Sequence, residues 1–537
     1  MKKHLICPAL IFLFCLSVQA QESVFYRLIL TDKGTSSDNI NRPQDFLSQK
    51  SIDRRIRQGF PVDETDLPVS PAYFEALTET GVSIQTYSKW LKTIVVNVPD
   101  EETLALLEKL PFVANLYPVF RGNIAGEETE AQTETEQASA CFQSNIPDYG
   151  AGFTQISLNN GHRLHQLGYR GQNKTIAVMD AGFSNVDRID CFNQGQILGV
   201  KNFTHEKGTF FRESMDHGTK VLSCMLANKP GYLIGTAPDA EYYLFKTEVN
   251  GSEFPIEEDY WVAALEYADS LGVDVVSTSL GYFTFDDATM NHTHEQLDGN
   301  SILVSRAAAM AAYKGMALCN SAGNEGNKDW GKIIFPADAE NILTVGSVQS
   351  DSIRSSFSSF GYSSDNRVKP DIMAMGTLAA IIGSNGRIAS GSGTSFSCPI
   401  ISGLVASLWQ ALPHLNSLEL IDLIRKTADR YQYPDSLYGY GIADFFNAYE
   451  DGKSGVSIPR NYSPDALRFQ VNDNKLYISS SSEYPQARLF IFTSMGVKRL
   501  EQPVSSACID LRVLNKGIYI ARLQQGDKHY VRKFVKQ

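Results

Sequence analysis

Cysteine is scarce in this sequence, which has 8 cysteines among 537 residues. None of them shows CxxC spacing, so a cysteine-built metal cage is excluded. A chain of this length folds without disulfides, and the sequence allows one bridge, for example between Cys191 and Cys224, without fixing the pairing. Cys319 and Cys398 lie in apolar stretches and are predicted to be buried thiols. The cysteines beyond residue 20 are Cys141, Cys191, Cys224, Cys319, Cys398 and Cys508.

The sequence also has fewer basic residues than acidic ones. Lysine and arginine total 48 against 60 aspartates and glutamates, which gives a net charge of −12. This balance argues against nucleic acid or an anionic membrane as the main partner. No apolar run after the first 20 residues is long enough to form a transmembrane segment.

The first 20 residues have the pattern of a signal peptide. Lys2 and Lys3 precede an apolar stretch from Leu5 to Leu16, which is too short to span a bilayer comfortably. Small residues then stand at the expected cleavage positions in Val18-Gln19-Ala20. The protein is therefore predicted to be exported.

Composition changes along the chain predict several units. Residues 21–125 combine strand-like runs with a helical segment and read as a small α+β domain. Residues 126–144 are acidic and poor in large apolar side chains, which predicts a linker that proteases cut easily. Residues 145–450 alternate buried-strand runs with amphipathic helices, the pattern of a doubly wound, mostly parallel α/β sheet. Residues 455–537 contain short alternating runs that predict a β-sandwich-like domain.

Four polar residues in the α/β region stand where such a fold builds sites. Asp180 ends the strand run TIAVMD, His217 begins a helical run, Asn324 follows another strand, and Ser395, within GSGTSFSCP, stands at a helix N-terminus. Each residue alone is typical of an ordinary turn or helix cap. Together they supply a nucleophile, a base, an acid that orients the base, and an amide donor for an oxyanion.

The motifs around these residues resemble those of the subtilisin (subtilase, S8) family. HGTKVLS, VDVVSTSLGY, NSAGNEG, FPADAENILTVGSV and GTSFSCPIISG follow one another in that family's order. The resemblance implies a serine endopeptidase with a triad of Asp180, His217 and Ser395 and with Asn324 in the oxyanion hole. It also implies that a protein or peptide substrate binds as an added strand between two segments. Those segments are Ser279-Leu280-Gly281 and Ser321-Ala322-Gly323.

The sequence departs from the family pattern at a few positions. Ala181 follows the acid where the family usually has Ser or Thr, and Phe396 stands where Met is common. Ile334 occupies a position at which the family often has glycine in the floor of the specificity pocket. We expect Ile334 to narrow that pocket and to favour small or slender P1 side chains. Glu325 is placed at the rim of the same pocket.

Both flanking regions have family resemblances of their own. FLSQKSIDRRIRQGFPVDETDLPVS resembles the N-terminal region of subtilases from Bacteroidetes-like bacteria, which implies a propeptide that assists folding and inhibits the site. The tail resembles C-terminal sorting domains of the type IX secretion system, and a generic β accessory domain is the alternative. The first interpretation places the protein at the cell surface or in the medium and makes the secretion machinery a partner. The second interpretation also allows a periplasmic location for the protein.

Other functions fit the sequence less well. His292 and His294 suggest a metal site, but a polar loop with two histidines is usually just exposed. No cofactor is predicted, although subtilases often hold calcium, because no EF-hand-like carboxylate loop occurs. Ser395 lacks the G-x-S-x-G frame of an α/β-hydrolase, and its acid and base precede it. A catalytically inactive subtilase scaffold that acts as a surface binding protein is the alternative function.

Overall fold

The computed structural model describes residues 23–36, 38–122, 149–453, 468–472, 475–479, 488–493, 497–503, 508–525 and 528–536. The predicted signal peptide (1–20), the predicted linker (126–144) and Cys141 lie outside the described residues. The chain divides into two compact units, residues 1–457 and 458–537. Within the described ranges, no helix is long and apolar enough to cross a membrane.

The N-terminal region of the first unit is built on four strands in one antiparallel sheet, with the predicted α+β composition. Its elements are β1 (Ser23–Leu30), α1 (Gln49–Gln58), α2 (Pro71–Glu79), β2 (Ser83–Ser88), β3 (Thr93–Val98), α3 (Glu101–Leu107) and β4 (Val113–Gly122). The sheet order is β2-β3-β1-β4. Leu28, Ile94 and Val96 on one face form a core with Leu77 of α2 and Leu107 of α3.

The rest of the first unit is the predicted doubly wound α/β fold, which is confirmed. Its strands are β5 (Thr175–Asp180), β6 (Ile197–Asn202), β7 (Asn228–Lys229), β8 (Leu233–Ile234), β9 (Glu241–Lys246), β10 (Val275–Thr278), β11 (Ala317–Ser321), β12 (Leu343–Val348), β13 (Gly361–Tyr362), β14 (Val368–Lys369), β15 (Ile372–Met375), β16 (Ala379–Ile382) and β17 (Ile388–Gly391). Seven of them form one parallel sheet in the order β15-β12-β11-β10-β5-β9-β6. Later strands are added on both sides of β5, so the winding reverses at the centre of the sheet.

Helices cover both faces of this parallel sheet. They are α4 (Phe153–Ser157), α5 (Gly161–Gln166), α6 (His217–Leu226), α7 (Ile256–Leu271), α8 (Leu303–Tyr313), α9 (Thr394–Ala411), α10 (Ser417–Lys426) and α11 (Phe445–Gly452). Ile176 and Val178 of β5 are buried in the core that includes α6 and α9. Ala177 and Met179 of β5 are buried in the core that includes α7 and α8. Alternate residues of β5 thus point into two cores, which explains why the strand is apolar throughout.

The second unit is all β in its described residues, as predicted. Its strands are β18 (Arg468–Asn472), β19 (Lys475–Ser479), β20 (Arg488–Thr493), β21 (Lys498–Pro503), β22 (Cys508–Asp510), β23 (Gly517–Gln525) and β24 (Lys528–Lys536). They form two antiparallel sheets, in the orders β18-β19-β22 and β21-β20-β23-β24. Leu476 and Ile509 of the first sheet share a core with Leu489, Ile491 and Leu523 of the second, which is the sandwich arrangement.

Candidate active site

The polar residues singled out in the sequence lie at the carboxyl ends of three adjacent strands and at the starts of two helices. Strand β10 pairs with β5 on one side and with β11 on the other. Asp180 is the last residue of β5, Ser279 follows β10, and Asn324 lies three residues beyond the end of β11. Parallel strands bring these ends to one edge, which is where open α/β sheets place their sites.

The Asp180 carboxylate is completely buried and receives two hydrogen bonds on one oxygen. Oδ1 accepts from the Ala181 backbone N–H at 2.8 Å and from Nδ1 of His217 at 2.6 Å. Among the described residues, no group donates to Oδ2. A buried carboxylate requires compensating donors, and the short bond to His217 supplies the stronger one.

His217 is the first residue of α6 and remains partly open to solvent, with 35% of its side chain exposed. Because Asp180 is the acceptor, Nδ1 carries the proton and Nε2 is left as an acceptor. Burial acts to lower the pKa of His217, but the Asp180 carboxylate outweighs it, so the pKa lies above its ordinary value. The imidazole is therefore a stronger proton acceptor than a free histidine.

Ser395 is the second residue of α9 and is half-buried. Its hydroxyl donates to the Ser279 carbonyl oxygen at 3.5 Å. The ring of the next residue, Phe396, lies 6.2 Å from the His217 ring, which puts the start of α9 beside the histidine. The helix start thus presents a hydroxyl close to the bonded Asp180–His217 pair.

Pro399 lies inside α9, beyond the first turn of a helix that begins at Thr394, although proline in this run would fit the first turn of a helix. Proline has no N–H, so the carbonyl four residues earlier, that of Ser395, loses its helical donor. The Ser279 hydroxyl donates to that carbonyl at 2.8 Å instead. Ser279 and Ser395 are therefore joined by two hydrogen bonds, which hold the helix start against the end of β10.

Asn324 is oriented through its side-chain oxygen. Oδ1 accepts from the Thr394 backbone N–H at 2.9 Å and from the Thr394 hydroxyl at 3.1 Å. A Cβ built on Gly393 would lie 3.6 Å from Nδ2 of Asn324 and 3.7 Å from the Ser395 backbone nitrogen. Two N–H donors therefore border the same space, and the first-turn N–H groups of a helix have no acceptor within it.

The two segments expected to flank a peptide run into the site from β10 and β11. Ile334 lies across them: its N–H donates to the Ala322 carbonyl at 3.2 Å, and its side chain is buried. A Cβ on Gly281 would lie 2.4 Å from Cδ1 of Ile334, and one on Gly323 would lie 3.0 Å from it. The isoleucine thus fills the gap between the two segments.

Glu325 and aromatic side chains line a cavity of about 580 Å³ next to these segments. The Trp330 ring contacts the rings of Phe283 and His294 in tilted arrangements. The centroid distances are 4.9 Å to Phe283 and 4.1 Å to His294. The Glu325 carboxylate pairs with Lys328 at 3.1 Å. Sequence reasoning placed Glu325 at a pocket rim but did not identify this aromatic cavity, whose members come from separate loops.

Three glutamates near the end of β9 were also not identified from the sequence. Carboxylate oxygens of Glu248, Glu253 and Glu257 all lie within 4.8 Å of one another, the one such metal-like grouping among the described residues. Burial raises the pKa of Glu248 to about 8 and that of Glu253 to about 7. The Tyr282 hydroxyl donates to Glu248 at 2.8 Å. Burial also raises the pKa of Glu257, so all three carboxyl groups are shifted toward the protonated form.

The structure corrects the prediction for His292. Its side chain is only 11% exposed, and Nε2 bonds to the buried Glu258 carboxylate at 2.6 Å. The loop therefore folds back onto α7, and His292 compensates a buried charge. His294 is exposed, as predicted, and its Nε2 contacts the Trp330 carbonyl at 3.0 Å.

The bridge considered between Cys191 and Cys224 does not form, because both residues are buried free thiols. Burial raises the pKa of each to about 12, which keeps both thiols protonated. Cys319 and Cys398 are buried thiols, as predicted. The Cys398 thiol donates to the Thr278 carbonyl at 3.4 Å and packs in the core beneath the site.

Comparisons with known proteins cover both regions of the first unit. A family model described as the Subtilase family matches residues 171–441. A second, described as the Peptidase S8 propeptide domain of Bacteroidota, matches residues 25–137.

Individual proteins with a similar sequence include two from Bacillus and one from a plant. Subtilisin NAT of Bacillus subtilis subsp. natto is 26% identical over 372 residues, which cover 68% of this chain and 83% of that protein. Serine protease AprX of Bacillus subtilis strain 168 is 28% identical over 321 residues, covering 54% and 68%. Subtilisin-like protease SBT6.1 of Arabidopsis thaliana is 27% identical over 320 residues, covering 56% and 28%.

Proposed function

The chain belongs to the subtilase family of serine peptidases, and we propose that it hydrolyses peptide bonds with Ser395 as nucleophile, His217 as base and Asp180 as the orienting acid. It is a serine endopeptidase made as a zymogen, since a subtilase region follows a propeptide region. The proposal for the triad rests on one observation above all. The 2.6 Å bond from His217 to a fully buried Asp180 lies beside the helix start that bears Ser395.

The chemistry begins with attack of the Ser395 oxygen on the carbonyl carbon of the substrate. His217 accepts the hydroxyl proton at Nε2, and Asp180 stabilises the imidazolium that results. The imidazolium then donates this proton to the departing amine as the C–N bond breaks, which leaves an ester on Ser395. Water attacks the ester along the same proton path and releases the carboxylic acid.

The negative charge on the carbonyl oxygen of the intermediate needs donors. Nδ2 of Asn324 and the backbone N–H of Ser395 border one space beside Gly393 and supply them. The two bonds from Thr394 hold the Asn324 amide with its nitrogen facing that space. Donors fixed in advance stabilise the charge without reorganising during the reaction, a contribution of about 3–4 kcal/mol.

The free site is not yet in its reacting geometry, since the Ser395 hydroxyl faces the Ser279 carbonyl at 3.5 Å. Rotation about one side-chain bond turns the hydroxyl toward Nε2 of His217. The contact that it leaves is long and weak, so the rotation costs little. Catalytic hydrogen bonds commonly tighten only when substrate is bound.

The substrate lies extended between Ser279-Leu280-Gly281 and Ser321-Ala322-Gly323 as an added strand. Ile334 fills the space between these segments and leaves little room for a large P1 side chain. Small or slender P1 residues are therefore preferred. In an apolar pocket, each methylene group by which two substrates differ changes their ratio of kcat/KM values by about 10- to 200-fold.

The regions outside the peptidase fold control where and when it acts. The propeptide is an intramolecular inhibitor, and cutting within residues 126–144 activates the enzyme. Residues 1–20 direct export, and the β-sandwich of residues 455–537 acts as a sorting domain for type IX secretion. The enzyme then acts at the cell surface or in the medium. The signal-like pattern and the resemblance of the tail support these assignments.

The test compares purified protein with its Ser395→Ala variant on an unfolded protein substrate. We expect hydrolysis by the wild type and none by the variant, and Ser392→Ala, a matched neighbouring change, should cleave like the wild type. If cutting within 126–144 is autocatalytic, Ser395→Ala will keep its N-terminal region attached. Equal hydrolysis by wild type and Ser395→Ala would overturn the proposal.

A further inference from the structure

Helix α1 of the N-terminal region lies at the edge of the parallel sheet opposite to Ser395. Its N-cap, Ser48, accepts from the Ser51 N–H, and it ends at Gly59 in the left-handed conformation, with φ of 75°. The helix contacts the residues at which β5, β10 and β11 begin. These contacts join Lys50 to the Thr175 hydroxyl, Arg54 to the Val273 carbonyl and Gln58 to the Gly315 carbonyl.

Two consecutive arginines of α1 enter a buried group of charges, which we call the arginine cluster. Arg55 bonds to Asp269 of α7 at 2.5 Å and to Asp66 at 2.8 Å, and Arg54 also bonds to Asp269. Lys314 reaches Asp66 at 3.0 Å. These side chains are at most 4% exposed. The arginine cluster consists of Arg54, Arg55, Asp66, Asp269 and Lys314.

The cluster joins the two regions rather than stabilising either one alone. Arg54, Arg55 and Asp66 come from the N-terminal region, whereas Asp269 and Lys314 come from the peptidase region. Burial acts to raise the pKa of Asp66, but Lys314 and Arg55 hold it well below its ordinary value. Separation of the regions would leave Asp269 without its two arginine partners and would break these bonds.

A side-chain amide adds a second link at the same place. Gln58 donates to the Gly315 carbonyl and accepts from the Ser417 N–H, each at 2.8 Å. Those two groups belong to the end of α8 and the start of α10, so one side chain bridges two helices of the peptidase region. Buried amide bonds of this kind are costly to leave unmade.

The contact through α1 is distinct from the contact of the N-terminal sheet. That sheet packs Phe25 and Phe120 against Phe254 and Tyr260, with Arg27 bonded to Asp259 at 2.7 Å. The arginine cluster instead lies at the amino ends of the strands, and Asp180 stands five residues after Thr175, the start of β5, which corresponds to about 17 Å. The N-terminal region is therefore held at two separate surfaces.

We propose that residues 48–67 form an anchor that retains the N-terminal region on the peptidase region after the chain between them is cut, independently of any contact with the catalytic residues. The proposal rests on the assignment of the N-terminal region as a propeptide. It separates two properties of that region. Inhibition depends on the part of the N-terminal region that contacts the carboxyl ends of the strands, where Ser395 lies. Retention depends on the arginine cluster at the amino ends.

The experiment uses the full chain carrying Ser395→Ala and a recognition site for an added, sequence-specific protease within residues 126–144. After cutting, we expect the two fragments to elute together in size-exclusion chromatography. Arg54→Ala/Arg55→Ala should speed release of the N-terminal fragment by about a hundredfold or more, since it removes both partners of buried Asp269. The control Arg57→Ala should change release little, because that side chain is 50% exposed and 3.8 Å from Asp274.

A second measurement covers the case in which the double variant fails to fold. The full-length variant Gln58→Ala, which removes the links to Gly315 and Ser417 without leaving a buried charge unpaired, should also release its cut N-terminal fragment faster than Arg57→Ala does. Immediate separation of the cut chain would overturn the proposal, as would equal release by the double variant and Arg57→Ala. Catalysis plays no part in this measurement, so residual hydrolysis by Ser395→Ala would refute the proposed function and leave the anchor untouched.

Discussion

A polar cluster lies at each end of strands β5, β10 and β11, and the central carboxylates of the two clusters differ in how they are paired. At the carboxyl ends, among the described residues, Asp180 leaves one oxygen without a donor and the Ser395 hydroxyl has a single contact at 3.5 Å. At the amino ends, Asp269 binds two arginines and is completely buried.

The difference separates reactive from structural charge. His217 keeps 35% of its side chain exposed, so solvent reaches it, as the proposed role in catalysis requires. Arg54 and Arg55 keep 1% exposed, so breaking their bonds means leaving buried charges unpaired. A carboxylate–histidine pair that solvent reaches can change its bonds during a reaction, whereas a buried carboxylate with an arginine on each oxygen resists change. Substitutions at the two ends should therefore affect different measurements.

The largest effect is expected from Ser395→Ala, which removes the proposed nucleophile and only one long side-chain contact, at 3.5 Å. We predict that kcat falls by about a millionfold while the melting temperature changes little. The measurement is steady-state hydrolysis of a peptide, with thermal unfolding followed on the same preparation. Retention of more than a hundredth of the wild-type kcat would contradict the assigned role.

A substitution in the arginine cluster, at the amino ends of the strands, should instead lower the stability of the protein. Asp269→Ala leaves Arg54 and Arg55 buried without their shared partner, so the free energy of unfolding of the uncut chain should fall by about 3–5 kcal/mol. Urea unfolding measures this change. Asp53→Ala, an exposed change on α1 next to the two arginines, should stay within about 0.5 kcal/mol of the wild type. Equal effects of the two variants would show that the arginine cluster is not structural.

Glu248, just beyond the end of β9, is an intermediate case, because it is a buried carboxyl group with a raised pKa. The pKa of Glu248, raised to about 8 by burial, lies above its unfolded value, so its contribution to stability is complete below about pH 4.5 and is lost as pH rises through 8. Glu248→Gln keeps an acceptor for Tyr282 and cannot ionise. We predict a flatter pH profile and a gain of about 1–3 kcal/mol over the wild type at pH 9.

Thermal unfolding between pH 5 and pH 9 checks this prediction. Glu340→Gln, a change of the same type elsewhere in the peptidase region, is the control and should follow the wild-type profile. Parallel profiles for Glu248→Gln and the wild type would mean that Glu248 stays ionised in the folded protein.

The smallest effect concerns specificity. Ile334→Gly should open the space between Gly281 and Gly323 and raise kcat/KM for substrates with a large P1 side chain relative to alanine by about 10- to 200-fold. A peptide library varied at P1 measures the ratio. An unchanged profile would show that Ile334 does not bound the P1 pocket.

Features that follow from local sequence could be predicted, and those that depend on distant partners could not. Asp180, His217 and Ser395 each end a strand or begin a helix, so the fold class places them at one edge. His292 was predicted to be exposed because its partner Glu258 lies 34 residues away. Arg54 and Asp269 are 215 residues apart, and nothing near either one indicates burial of a charge.

The most direct test of the central claim is labelling of the processed protein with a fluorophosphonate, followed by mapping of the modified residue. We predict one adduct, on the Ser395 oxygen, which is lost in Ser395→Ala and unchanged in Ser392→Ala. We also predict that His217→Ala labels far more slowly, since no base removes the hydroxyl proton. An adduct on another residue, or equal labelling of wild type and Ser395→Ala, would contradict the central claim.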